Sequence, residues 1–250
     1  MSASSIITLM YFRGLLGLNH HSIRTIFSEK AGHQVFGGTM SRNRFSFLSS
    51  HLCFDDHTTR AQRWKTDRFA AFCDFFDMFN RNCSRHLVPG EYLSLDETLY
   101  PMRNHISFKQ YNPSKPAKYG MLFKSLNDSR LNYTYRSMVY AGKPRQLPSP
   151  YYVCGTDNFI KTLVNGLDQV VCLQGRNISM DRLYTSVPIA QWLLSKDITC
   201  IGTIMSNRIG IPAELKQATG REEFSSLMFW EKKKGDRVLS SYIVSTSKGM

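Results

Sequence analysis

The sequence predicts a mixed chain of the α+β or α/β class. An all-helical front segment (1–88) is followed by a core running β-β-β-α-β-α-β (89–211) and by the beginning of a β-rich segment (212–250). Three observations predict this. Between Ile6 and Leu87 apolar side chains recur at spacings of three and four, and no proline occurs before Pro89, the pattern of successive helices. From Tyr92 the period changes to the alternation of β-branched and aromatic residues that strands show. After Pro212 that pattern weakens until two short apolar runs frame a lysine-rich turn.

The elements follow in order. The apolar stretch Ile6 to Leu18 reads as a buried helix, because Arg13 interrupts it and no small-residue cleavage site of a secretory leader follows. Met40 to Phe47 and Phe69 to Phe79 each carry one apolar face. Ser41 is placed to cap the first and Thr66 or Asp67 the second, since a short oxygen-bearing side chain satisfies free amides at a helix start. Pro89 and Gly90 break the helical pattern. Tyr92 to Leu95, Tyr119 to Leu126 and Tyr133 to Tyr140 then read as an antiparallel meander. A loop containing Gly142, Pro144, Pro148 and Pro150 leads to a helix, capped by Asp157, whose Phe159, Leu163, Val164 and Leu167 share one face. Ile178 to Met180 is a short strand, Ser186 begins a helix with Ile189, Leu193 and Leu194 inward, and Ile198 to Ile204 is the last strand of the series. This order is that of an RNase H-like fold. Leu227 to Trp230 and Val238 to Val244, flanking Lys232, Lys233, Lys234, Gly235 and Asp236, read as a hairpin.

Composition narrows the classes of function. Hydrophobic residues make up 42% of the chain, which excludes a disordered tail, and no apolar run is long enough to span a bilayer. The six cysteines, Cys53, Cys73, Cys83, Cys154, Cys172 and Cys200, form no CxxC pair or tight cluster, so reduced thiols are expected and no zinc site is expected within the chain. A reduced interior implies cytoplasm or nucleus and makes the sequons at Asn82, Asn132 and Asn177 chance matches. The net charge of +13 points to a polyanionic partner. Between Glu97 and Asp157 stand nine basic residues and a single acid, Asp128. The bland reading of that excess is a solvated basic face.

Two carboxylates stand out. Asp96 ends the first predicted strand in Ser94-Leu95-Asp96-Glu97, and Asp181 follows the fourth in Ser179-Met180-Asp181-Arg182. The first and fourth strands of such a sheet are neighbours, so acids 85 positions apart (181 minus 96) would face each other. A pair of that kind suits Mg²⁺, which takes oxygen ligands from one or two carboxylates and completes its shell with water and substrate phosphate. Two such ions can drive in-line phosphoryl displacement, and a third acid normally holds the second ion. Equally, both residues could be ordinary strand-end acids making turn hydrogen bonds.

The stretch from Ser94-Leu95-Asp96-Glu97-Thr98-Leu99-Tyr100-Pro101-Met102-Arg103 through Phe108-Lys109-Gln110-Tyr111-Asn112-Pro113-Ser114-Lys115-Pro116-Ala117-Lys118-Tyr119-Gly120 resembles the piggyBac transposase segment around its first catalytic aspartate. The resemblance extends upstream to Met40-Ser41-Arg42-Asn43-Arg44-Phe45 and Leu52-Cys53-Phe54-Asp55-Asp56, and downstream to Asp181, Tyr184-Thr185-Ser186, Pro188, Leu193-Leu194 and Gly202-Thr203. It implies a nuclear, transposon-derived protein with a helical dimerisation and DNA-binding part, an RNase H-like domain with three aspartates, and a β-rich insertion before the third. Asp96 maps onto the first aspartate and Asp181 onto the second. Both would be catalytic and hold Mg²⁺ or Mn²⁺.

The segment from about Pro212 resembles the start of the insertion. The third aspartate and the family's cysteine-rich zinc-binding tail are therefore expected beyond Met250, and the chain by itself is expected to be inactive. Asp236 lies in the lysine-rich hairpin and matches the insertion rather than the third aspartate. The family usually has Asn after the second aspartate where this chain has Arg182, whose guanidinium would stabilise the ionised Asp181 or compete with a metal for it. Arg103, Lys109, Lys115 and Lys118 fall where a DNA backbone would approach, and such contacts position DNA without reading its sequence. Phe108 and Tyr111 beside them read as packing residues in preference to base-stacking ones. His20 and His21 read as structural, because neighbours on a helix point apart. Two other readings remain open: a domesticated DNA-binding or dimerising module without chemistry, and a transposon remnant without function.

Overall fold

The computed structural model describes residues 3–102, 104–142, 153, 155–217, 220–230 and 238–243. The chain divides into two compact units, Met1–Asp56 and His57–Met250.

The first unit is helical: α1 (Ala3–Leu15), a 3₁₀ turn (Leu18–His20), α2 (Ile23–Ile26), α3 (Gln34–Thr39) and α4 (Arg42–Ser50). Its core gathers Ile6, Leu9, Ile26, Phe36, Met40 and Phe45, with the Phe27 ring tilted against Phe36 and Phe45 at centroid distances of 5.5 and 5.3 Å. The helix expected to be buried packs on a single side: Ile6 and Leu9 are in the core, while Tyr11 and Leu15 are 78% and 82% exposed. Arg13 interrupts the apolar stretch for a local reason. Its guanidinium donates to the carbonyls of Leu18, Asn19 and His21 and so closes the turn after α1. The Ser41 hydroxyl accepts from the Arg44 N–H at 3.3 Å, the expected cap. His20 and His21 are exposed at the 3₁₀ turn.

The second unit contains α5 (His57–Arg63), α6 (Cys73–His86), β1 (Tyr92–Pro101), β2 (Gln110–Tyr111), β3 (Tyr119–Asp128), β4 (Thr134–Val139), α7 (Thr156–Asp168), β5 (Asn177–Met180), α8 (Val187–Leu194), β6 (Thr199–Gly202), α9 (Ala213–Lys216), β7 (Ser226–Trp230) and β8 (Val238–Tyr242). Six strands form one mixed sheet in the order β2-β3-β1-β5-β6, with β4 also on β3, and β7 and β8 pair by themselves as the expected hairpin. β1 is antiparallel to β3 and parallel to β5, and β5 is parallel to β6. The mixed α+β architecture and the adjacency of the first and fourth predicted strands are as the sequence implies. Helices α5 and α6, which the sequence placed in the front segment, lie in the same compact unit as the sheet.

One sheet face, carrying Leu93, Leu95 and Leu126, packs on Phe159, Ile160, Leu163, Val164 and Leu167 of α7 and Ile189 and Leu193 of α8. The other carries Phe123 and Val139 against Phe69 and Phe76. Phe108 is buried with them, as the packing reading required.

Four expectations are corrected. β1 does not end at Leu95: it continues to Pro101, paired with β3 as far as Pro101↔Gly120, so Asp96 lies inside the strand. The two-residue strand β2 was not expected. Helix α6 starts at Cys73 with no side-chain cap, while Asp67 is buried in the preceding turn and accepts from the Phe69 N–H at 2.8 Å. The N-cap of α7 is Gly155, at φ 81°, not Asp157. Gly155 takes this positive-φ conformation without the strain a Cβ would add, and Asp157 sits in the first turn. The prolines of the expected 142–150 loop, and the lysine-rich turn between β7 and β8, lie outside the described residues.

Asp128 organises the β3–β4 turn. Its carboxylate accepts from the N–H groups of Arg130 and Leu131 and from the Tyr135 hydroxyl, each at 2.8 Å. These bonds, the one from Leu131 first, hold its carboxyl below the usual value of 3.8, while burial pushes the Tyr135 phenol up to about 12. Because the folded pKa of Asp128 is depressed, its contribution is present above the unfolded value and lost as pH falls through the folded one. Asp128→Ala is expected to cost about 1–3 kcal/mol at neutral pH, and the gap to wild type should shrink below about pH 4. Urea denaturation of both proteins across pH checks this.

Candidate active site

The parallel pairing of β1 with β5 ends at Leu95↔Met180. Asp96 is the next residue of β1 and Asp181 the first residue after β5, so two acids 85 positions apart (181 minus 96) stand side by side where the strands part. Alternation explains their outlook. Leu93, Leu95 and Leu99 of β1 are buried while Asp96 is exposed, and Met180 is buried while Asp181 is exposed. Residues on opposite parities of a strand face opposite sides of the sheet.

Each carboxylate is held by one oxygen. Asp96 Oδ1 accepts from the Glu97 N–H at 2.7 Å, and Asp181 Oδ1 accepts from the N–H groups of Leu183 and Tyr184 at 2.9 and 3.3 Å. The bonds to Asp181 form a short turn, tightened by the Thr185 hydroxyl, which donates to the Asp181 carbonyl at 2.8 Å. Among the described residues neither Oδ2 has a hydrogen-bond partner. Two exposed carboxylates, one on β1 and one directly after the neighbouring β5, match what a hard divalent cation with part of its water shell requires. Arg182 makes no ion pair with Asp181 among the described residues, where the Asp181 contacts come from the backbone amides of Leu183 and Tyr184. Gly202 on β6 is needed nearby, because a Cβ there would run into the Met180 carbonyl and the Thr185 hydroxyl.

Behind Asp96 lies a group of side chains that sequence reading passed over. Glu97 falls on the buried face of β1, directly opposite Lys124 of β3, and its Oε2 accepts from the hydroxyl of the fully buried Tyr184 at 2.9 Å. The Lys124 ammonium lies over the rings of Phe159 and Tyr184, 4.5 and 5.3 Å from their centroids. Burial pulls the Lys124 pKa down, and the charges of Glu97 and Asp181 push it back up. Burial, the hydrogen bond to Glu97, and the charges of Glu97, Asp181 and Asp96 raise the Tyr184 phenol above its ordinary range, so it acts as a donor. The signal was present in the motifs Asp96-Glu97 and Tyr184-Thr185-Ser186, but not the pairing.

The basic residues divide. Lys115 Nζ donates to the Glu97 carbonyl at 3.2 Å, which folds the 112–118 loop back onto β1 beside Asp96. Lys118 is exposed. Lys109 Nζ reaches the Asn104 carbonyl at 3.4 Å and lies 5.8 Å from the centroid of the Tyr119 ring. Arg103 and Asp236 lie outside the described residues. Tyr111 is 56% exposed and pairs across the strands with Tyr119, at a centroid distance of 4.8 Å. Lys124 and Arg136 are half-buried, so the basic excess is not a single surface.

With this geometry in view, the comparisons decide the family. The family model described as Transposase IS4 matches residues 5–248. The cryo-EM structure of the piggyBac transposase synaptic complex with hairpin DNA superposes with a TM-score of 0.84 and 30% identity, covering 98% of this chain. The chain belongs to the piggyBac-type transposase family. Human (Homo sapiens) PiggyBac transposable element-derived protein 2 is 26% identical over 195 residues, 76% of the chain. The chain spans 49% of the solved transposase and 32% of the human relative. The similarity to the piggyBac transposase supports the RNase H-like description of the mixed sheet, in which Asp96 lies on β1 and Asp181 directly follows the neighbouring β5.

Proposed function

We propose that this chain is the core of a nuclear piggyBac-like transposase whose ancestral reaction is metal-dependent DNA cleavage and strand transfer at transposon ends. The juxtaposition of Asp96 and Asp181, each with an Oδ2 that has no hydrogen-bond partner among the described residues, carries the reading. These two residues would hold Mg²⁺, or Mn²⁺ in its place, which would supply Lewis acidity at the scissile phosphate. The residues themselves orient the site: the turn amides of Leu183 and Tyr184 fix the Asp181 carboxylate, and Lys115 and Lys118 approach the DNA backbone. Residues 1–250 contribute two of the three carboxylates such a reaction uses, so by themselves they are expected not to cut. Sequencing the transcript and genomic DNA past the Met250 codon, for a frame that supplies a further aspartate and a cysteine-rich tail, tests that expectation.

The exposed Lys118 and the nearby Lys115 also fit a second reading, a domesticated DNA-binding or homodimerising module without chemistry. Both readings predict salt-sensitive binding to duplex DNA. Lys115→Glu/Lys118→Glu should lower the slope of log K against log salt by about two, measured by fluorescence anisotropy. Equal affinity in low and high salt would remove DNA as the partner. Asp96→Ala separates the readings: binding is retained in both, and cleavage by the longer protein is lost only in the first.

A further inference from the structure

The backbone pairing that ties β1 to β5 stops one residue short of the acidic pair, at Leu95↔Met180. Tyr184 bridges the gap from behind. Its N–H donates to Asp181 Oδ1 at 3.3 Å, and its hydroxyl donates at 2.9 Å to the carboxylate of Glu97, the residue bonded to Asp96. A single buried residue thus contacts one of the two acids directly and the immediate neighbour of the other.

The chemistry of this bridge is not that of an ordinary core. Setting a buried phenol against a half-buried carboxylate and ammonium costs desolvation that apolar side chains would avoid, and the surrounding residues Leu95, Leu126, Phe159 and Met180 are apolar. Lys124, opposite Glu97 in the β1–β3 register, offsets the negative charge that Glu97 adds behind Asp96 and Asp181. A phenylalanine at 184 would fill nearly the same space with no polar group to satisfy, so the hydroxyl has a use beyond packing.

We propose that Tyr184 is a positioning residue: its hydrogen bond to Glu97 sets the spacing of the Asp96 and Asp181 carboxylates and thereby the affinity of the site for a divalent cation. This rests on the reading of that pair as metal ligands. Groups that orient metal ligands from behind typically change affinity by about 10- to 100-fold when removed, and a bond that bridges two strands is well placed to do so.

The test is Mn²⁺ binding to the 250-residue chain, followed by the loss of the free-ion electron paramagnetic resonance signal. Four proteins are compared with wild type: Asp96→Ala/Asp181→Ala, Tyr184→Phe, Lys124→Met, and Ile198→Val. The last trims the same core at the start of β6, at the far end from Asp181, and serves as a control for general destabilisation. Wild type should bind Mn²⁺ and the double aspartate variant should not. Tyr184→Phe should weaken binding about 10-fold. Lys124→Met, which leaves the Glu97 charge uncompensated behind the pair but keeps the Tyr184 bond, should bind at least as tightly as wild type. Ile198→Val should bind as wild type does. Wild-type affinity in Tyr184→Phe, or an equal loss in Ile198→Val, overturns the positioning role and leaves the metal reading standing. Binding by wild type no better than by the double aspartate variant overturns both.

Discussion

Asp96→Ala is expected to abolish Mg²⁺- or Mn²⁺-dependent cleavage of transposon-end DNA, by at least about a thousandfold, in a protein that joins residues 1–250 to the third carboxylate. Asp181→Ala should do the same, and the two together should cost no more than either alone, because residues that act as one unit are not additive. Both side chains are exposed and neither supports the core, so melting temperature should change little. That separates loss of chemistry from loss of fold. Gel-resolved nicking of end-labelled DNA provides the measurement, and a wild-type rate in Asp96→Ala would sink the catalytic assignment. Residues 1–250 alone should show no nicking. If they nick, and Asp96→Ala stops it, two carboxylates suffice and the expected inactivity is wrong.

The largest stability effect is expected far from the acids, at Asn80 of α6. β4 pairs with β3 on one side only, which leaves alternate N–H and C=O groups of its other side without strand partners. Two side chains of α6 take that place. Asn80 donates to the Ser137 carbonyl at 3.0 Å and accepts from the Ser137 N–H at 2.8 Å, and Ser84, one turn later, donates to the Tyr135 carbonyl at 2.9 Å. Asn80, Ser84 and Ser137 are all buried, so no solvent replaces a lost partner. Asn80→Ala leaves a buried donor and a buried acceptor unpaired and should cost about 2–5 kcal/mol, read as a lower urea midpoint at an unchanged slope. Asn80→Leu should not recover it, because volume is not what is missing. A loss within about 0.5 kcal/mol, the scale of an ordinary surface change, would show that the edge is satisfied in another way.

Legibility followed one rule. The apolar face of α7, the caps at Ser41 and Ser186, and the order of the long strands each depend on a few consecutive residues, and local spacing reports them. Reading failed where a long-range partner reversed the local meaning of a residue. The expected first strand stops at Leu95, whereas β1 runs on through Glu97 to Pro101. In the fold Glu97 does face inward, and Tyr184, 87 positions away, makes that tolerable. Asn80 and Ser84 carry no local signal of their role, because the backbone groups they bind belong to β4, more than 50 positions away. Lys124 and Arg136 counted toward a basic surface in the sequence, yet both are half-buried.

The amino-acid sequence by itself determined the chemical inventory: two aspartates at the right places in the element order, a basic segment beside the first, and motifs dense enough to indicate the family. These are properties of residue type and spacing, and survive without coordinates. The tertiary structure decided which groups meet. It placed Asp96 inside β1 one step beyond the last backbone pairing with β5, turned one oxygen of each carboxylate to local amides, and set Tyr184 and Glu97 against each other behind them. Those outcomes depend on strand register and on the desolvation of side chains dozens of positions apart, and such energies exist only after the chain has brought the partners together.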